Sequence, residues 1–153
     1  MEVRTVLAAL ALAAALGAAP LAHAQDCAGD GAGRLTVMVD GLRSASGEVA
    51  VTVYPDDPRR FLARRGKLYR LRVPTRTPTT GACFMLPAGV YALAVYHDAD
   101  GDRDFDRSKT GLPTEGFGFS NDAPTRVGLP SFDTVRFRYR PGDKPIRIRM
   151  RYR

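Results

Sequence analysis

A chain of 153 residues with 44% apolar, 8% aromatic and 25% charged residues and a formal charge of +7 is long enough for one domain with a real core, and too short for two comfortable ones. That composition excludes a disordered, collagen-like or coiled-coil chain. The only histidines are His23 and His97, the only cysteines are Cys27 and Cys83, and tryptophan is absent, which nearly excludes sites built from several His or Cys ligands.

Residues 1–24 read as a secretory signal. Arg4 supplies a thin basic start, Val6–Ala19 is an unbroken apolar run, and Ala22-His23-Ala24 offers small residues at both positions a signal peptidase reads. The run of about fourteen residues falls short of the roughly twenty that a bilayer-spanning helix needs. Gln25-Asp26 before Cys27 does not suit a lipid-attachment box, which takes small or apolar residues there. Cleavage after Ala24 is expected. It leaves a domain over residues 25–153 with His97 as its sole histidine, no transmembrane segment, and a periplasmic or secreted location. In an oxidising compartment two lone cysteines pair, so Cys27–Cys83 is expected as a structural staple.

Next in the chain, Arg34–Asp40 and Glu48–Tyr54 alternate with period two and stop at Gly41 and Pro55. Asp57 as a cap, Pro58 at the first position, Arg59–Arg65 as body and Gly66 as the stop predict one short helix. Leu68–Val73, Ala82–Leu86 and Val90–Tyr96 are three further strands bounded by Gly or Pro, and Thr134–Tyr139 and Pro145–Tyr152 close the chain. Seven short strands with frequent turn signals predict an all-β fold, an antiparallel β-sandwich of immunoglobulin-like or transthyretin-like type.

The strongest chemical signal lies between His97 and Gly111, where Asp98, Asp100, Asp102, Asp104 and Asp106 fall within nine residues. Their mutual repulsion in a compact turn calls for a counter-ion. Ca²⁺ takes six to eight oxygens, and loops supply them at positions 1, 3, 5, 7 and 9. With Asp98 as position 1, Asp100, Asp102 and Asp106 fall at 3, 5 and 9, and the Asp104 carbonyl is available at 7. The match is partial: Arg103 stands where such loops turn on a glycine, Gly101 comes two residues early, and Lys109 replaces the closing glutamate. Glu115 folding back is one candidate for the missing acid. The alternative is a solvated acidic turn neutralised by Arg103, Arg107 and Lys109.

Tyr91–Asp98, the acidic loop, Gly111–Asn121 and Gly128–Phe132 together resemble a family of small secreted bacterial proteins, domain-of-unknown-function family 2141. The resemblance spans essentially the whole mature chain. It implies a secreted β-sandwich with an Asn/Asp-rich loop, without specifying an activity. This chain departs from the usual pattern, in which Asn, Gly and Lys fill much of the loop, by carrying Asp102, Arg103 and Asp104.

Gly116, Gly118 and Gly128 with Phe117 and Phe119 read as a long loop packing its aromatics over the open end of the sandwich, or as an aromatic lip for a ligand. The basic residues cluster: Arg59–Arg76 carries eight Lys/Arg and no acid, and Arg136–Arg153 eight against Asp143 alone. A C-terminal hairpin turning at Pro141–Lys144 would set Arg138 opposite Arg147 and Arg136 opposite Arg149, with Phe137 and Tyr139 facing Ile148 and Ile146 in the core. Such an arginine face would suit an anionic cell-envelope polymer or lipid rather than nucleic acid, given secretion. Catalysis is hard to build. A Ser-His-Asp site would have to recruit His97, and no G-x-S-x-G motif accompanies it.

Overall fold

A computed structural model describes residues 26–126 and 128–153; the expected signal over residues 1–24 lies outside them. In chain order the strands are β1 (Gly33–Asp40), β2 (Glu48–Pro55), β3 (Tyr69–Pro74), β4 (Thr79–Leu86), β5 (Gly89–Asp98), β6 (Gly116–Phe119), β7 (Phe137–Tyr139) and β8 (Ile146–Arg149). A single-turn helix, α1 (Phe132–Val135), precedes β7. One sheet has the order β4-β1-β8 and the other β3-β2-β5-β6, with β7 also on β5. The fold is an all-β sandwich.

Alternation builds the core. Leu35, Val37 and Val39 of β1 and Phe84 and Leu86 of β4 pack in one cluster with Val49, Val51 and Val53 of β2 and Leu93 and Val95 of β5, all essentially buried. Burying each such side chain is worth about 1.5–3 kcal/mol. The disulfide joins Cys27 to Cys83. Beside it Ala28 N–H donates to the Cys83 carbonyl at 3.1 Å and Met85 N–H to the Ala28 carbonyl at 2.8 Å, so the N-terminal segment lies along β4.

Four expectations are corrected. The helix expected over Arg59–Arg65 is replaced by successive turns: the Asp57 side chain accepts from Arg59 N–H at 2.9 Å, and Phe61 N–H reaches the Asp57 carbonyl at 3.3 Å. Leu62 then enters the left-handed region (φ 57°), where a helix cannot continue. The segment expected as a strand from Thr134 begins instead as α1, and β6 forms within the segment expected as a loop.

The fourth correction concerns the C-terminal hairpin. Its turn forms, with Asp143 N–H on the Arg140 carbonyl at 3.0 Å, but the two arms go to different sheets. β7 pairs with β5, Phe137 opposite Tyr91, while β8 runs parallel to β1, Val37 opposite Ile146 and Val39 opposite Ile148. The crossing satisfies the otherwise open edge of β1 and buries Ile148 completely. It also avoids setting Arg138 against Arg147 and Arg136 against Arg149, since like charges directly opposed across a strand pair are destabilising. Arg147 instead pairs with Asp40 of the neighbouring strand at 2.6 Å.

The second sheet is covered on both faces. Ala50, Tyr54, Ala92, Tyr96, Phe117 and Phe119 form a second cluster on its outer side with Phe132 and Val135, and Phe61 and Phe105 fold over it from the flanking loops. β2 and β5 are therefore buried along nearly their whole length.

Candidate metal centre

The site grows from the last residue of β5. Asp98 is fully buried, and its carboxylate accepts from Gly101 N–H and Arg103 N–H, each at 2.9 Å, and from Arg72 Nη1 at 2.8 Å. Arg72 and Tyr96 are both registered against Ala50 of β2, which brings Arg72 Nη2 to the Tyr96 hydroxyl at 2.6 Å. The same nitrogen donates to the Arg103 carbonyl at 2.8 Å, and the Tyr96 hydroxyl donates there too at 3.3 Å. A buried carboxylate is tolerated only when paired and hydrogen-bonded. Asp98 meets both conditions, and in doing so fixes the first turn of the loop on the sheet.

The rest of the turn is a relay of carboxylates accepting from backbone ahead of them. Asp102 N–H donates to Asp100 Oδ1 at 3.3 Å, Asp104 N–H to Asp102 Oδ1 at 2.8 Å and Phe105 N–H to Asp104 Oδ1 at 2.8 Å. Gly101 (φ 79°) and Arg103 (φ 68°) are both left-handed. Arg103 thus occupies the conformation for which a glycine is the usual residue. That conformation costs an L-residue roughly 1–2 kcal/mol, and glycine's extra freedom in the unfolded chain takes back roughly 0.5–1 kcal/mol. Arg103→Gly is expected to stabilise the fold by about 0.5–1 kcal/mol in urea unfolding. The substitution also removes a 4.0 Å approach to Glu48, but the Arg103 side chain is 72% exposed and such a surface pair is worth little. A destabilised Arg103→Gly would contradict this account of the turn.

One carboxylate oxygen each from Asp98, Asp100 and Asp102 lies within 4.8 Å of the others. Oxygens bound to one cation of Ca²⁺ size at about 2.3–2.6 Å can be at most about 5 Å apart, so these three are close enough to hold a metal ion in common. Of the five aspartates, Asp104 turns its Oδ1 to Phe105 N–H. Asp106 stays outside the group but within its field: the charge of Asp102 first, then partial desolvation and Asp100, Asp104 and Asp98, raise its pKa. Glu115 does fold back, accepting from Asp106 N–H at 3.1 Å. Burial raises its pKa, the Asp106 and Ala99 N–H groups oppose that, and Asp98 and Asp106 add to it. Raised carboxyl pKa values in the folded state mean a contribution to stability that is present in acid and lost as pH rises through them. At neutral pH a cation would relieve the same repulsion.

Sequence reasoning did not find Arg72, Tyr96 or Phe105 as parts of this site. Arg72 was one of eight cations in an acid-free stretch, and only the strand register shows that it crosses β2 to Asp98. Phe105 anchors the loop edge-on between Tyr96 (5.4 Å) and Phe117 (5.8 Å), with the Arg107 guanidinium over it at 5.1 Å.

His97 points away from the acidic turn. It is 2% exposed, with Nε2 2.9 Å from the Ser46 carbonyl and Nδ1 2.8 Å from the Tyr152 hydroxyl. A carbonyl only accepts, so Nε2 donates to Ser46, while Nδ1 and the Tyr152 hydroxyl share the second hydrogen bond. The arginines of the expected face are split between the two sheets: Arg136 pairs with Asp133 at 3.3 Å, Arg147 and Arg149 lie together on β8, and Arg138 meets Arg147 across one hollow of about 330 Å³.

These features define a disulfide-bonded β-sandwich protein with a carboxylate-rich loop anchored at the end of one sheet. The chain belongs to the family described as uncharacterized protein conserved in bacteria, DUF2141, whose sequence model matches residues 37–147. That agrees with the resemblance drawn from the Tyr91–Phe132 motifs. No curated protein and no solved structure matches the chain.

Proposed function

We propose that this is a non-catalytic periplasmic or secreted protein, in a structural or binding role, whose acidic loop takes Ca²⁺ through Asp98, Asp100 and Asp102. The observation that carries the reading is the approach of those three carboxylates within 4.8 Å. Two features around it lend support: Asp98 is held rigidly by Arg72 and two backbone N–H groups, and Glu115 supplies further acid beside Asp106. Ca²⁺ suits an irregular, flexible oxygen set better than Mg²⁺, which demands near-ideal octahedral geometry. An extracytoplasmic location is supported by the disulfide and by the apolar leader over residues 1–24. Among the described residues no helix is long and apolar enough to cross a membrane. The non-catalytic reading rests on His97, both of whose ring nitrogens are committed to Ser46 and Tyr152.

Calorimetric titration of CaCl₂ into EDTA-treated, dialysed protein tests the metal reading. A single site is expected, weakened at least tenfold in Asp102→Ala, because Asp102 is exposed and its loss leaves the core intact. Equal heats from the parent and Asp102→Ala would contradict it.

A further inference from the structure

The outer face of the second sheet is not fully closed by the loops that cover it. Between the Phe61 turn and the acidic loop lies a cavity of about 240 Å³ with Ala94 as its floor and Tyr54, Tyr96, Phe105, Phe117 and Phe119 as walls. Small Ala94, half-buried among these rings, is what leaves the space open. Leu62 and Leu129 border the mouth, and they are two of the four large apolar side chains left exposed among the described residues. At about 30 Å³ per water, the volume corresponds to about eight water-sized groups, the size of a short aliphatic chain.

The rim carries one sign of charge. Arg70 and Arg107 line the cavity itself, and the adjoining hollow of about 250 Å³, which shares Tyr54, Leu62, Arg70, Tyr96 and Phe105, adds Arg64, Lys67 and Arg103 against Asp104 alone. Arg70 is held in place: its Nε donates to Thr52 Oγ1 at 2.8 Å, and its guanidinium lies 5.8 Å from the Tyr96 ring centroid. Among the described residues no carboxylate lies within 4.0 Å of Arg64, Lys67, Arg70 or Arg107, whereas Arg72, Arg103, Arg136, Arg147 and Arg151 each have one. A guanidinium has five donors; Arg70 gives one to Thr52 and one to the Tyr54 hydroxyl, which leaves three N–H groups for a carboxylate.

We propose that this cavity binds a small single-chain amphiphile with an anionic head, a medium-chain carboxylate, its tail among the aromatic side chains and its carboxylate on Arg70. The apolar walls account for the tail and the unpaired cations for the head, as expected of a ligand site with a mostly apolar lining and few polar groups. The cavity shares Tyr96 and Phe105 with the anchoring of the acidic turn, but none of the Asp98, Asp100 and Asp102 carboxylates lines it.

Sodium octanoate, titrated below its micellar range into the disulfide-bonded protein and followed by the aromatic NMR signals of the cavity, is the test. Saturable one-site binding is expected, at least tenfold weaker for octylamine and for octanol. Arg70→Gln should weaken octanoate at least tenfold, and Ala94→Leu, which fills the floor, should abolish binding while the melting temperature holds. If Ala94→Leu proves unstable, the Arg70→Gln and octylamine arms decide alone. Non-saturable binding, equal affinity for the three amphiphiles, indifference to Arg70→Gln, or capture by anionic phospholipid vesicles without octanoate binding would each overturn the proposal.

Discussion

Asp98→Ala is expected to destabilise the protein by about 3–5 kcal/mol in urea unfolding, the cost of removing one partner of a buried ion pair. Three donors lose their acceptor at once: Arg72 Nη1 and the Gly101 and Arg103 N–H groups. Glu48, 3.9 Å from the Arg72 guanidinium, offers a partial substitute and pulls the value toward the lower end. The double variant Asp98→Ala/Arg72→Met should recover much of the loss, because the main penalty is an unpaired guanidinium whose side chain is only 18% exposed, and a double-mutant cycle reads that coupling directly. A loss under 1 kcal/mol would mean that the pair does not hold the loop to the sheet. Asp98→Ala is accordingly a poor probe of metal binding, since it disturbs the fold and the carboxylate group together.

Removing the disulfide ranks next. Cys27→Ser/Cys83→Ser opens a loop spanning a sequence separation of 56, for which the chain-entropy relation gives about 4 kcal/mol. In the folded state the loss should begin at the N-terminal segment, where Ala28 and Gly31 N–H groups bond to the Cys83 and Met85 carbonyls. Domains of this size are stable by about 5–15 kcal/mol, so either change takes a large share of the total. Hydrogen exchange should show the Ala28 and Met85 amides losing protection first. Unfolding midpoints that coincide with and without reductant would contradict the staple.

Much of the sandwich was legible because β1 and β2 read with period two, which reveals an inner face without knowledge of a partner, and because β4 and β5 are short apolar runs bounded by Gly or Pro. The Cys27–Cys83 pairing followed from there being just two cysteines. What escaped the sequence was set by distant contacts. β6 reads as a glycine-rich loop. Its glycines are there because a Cβ on Gly116 would lie 2.4 Å from the Tyr152 ring and one on Gly118 would lie 2.7 Å from the Arg149 carbonyl. The turn at Pro141–Lys144 was read correctly while the partner of its second arm was not, since local geometry fixes a turn but the open edge of β1 decides where β8 pairs. The acidic residues themselves were conspicuous. Their anchor, Arg72, was not, because an arginine in a basic stretch carries no mark of the strand it will reach across. The aromatic cover of the second sheet, with Phe61 and Phe105 contributed from loops, was hidden for the same reason.

The central claim, a Ca²⁺ site in the acidic turn, is tested most directly by melting the protein in EDTA and then in millimolar Ca²⁺ or Mg²⁺. A ligand that binds only the folded state adds RT ln(1 + [L]/Kd), about 2.7 kcal/mol at a hundredfold excess over Kd. The account predicts a rise in Tm of several degrees with Ca²⁺, a smaller one with Mg²⁺, and at most about half the Ca²⁺ rise in Asp102→Ala. A Tm unmoved by either cation would contradict it and leave the turn a solvated acidic loop held by Arg72.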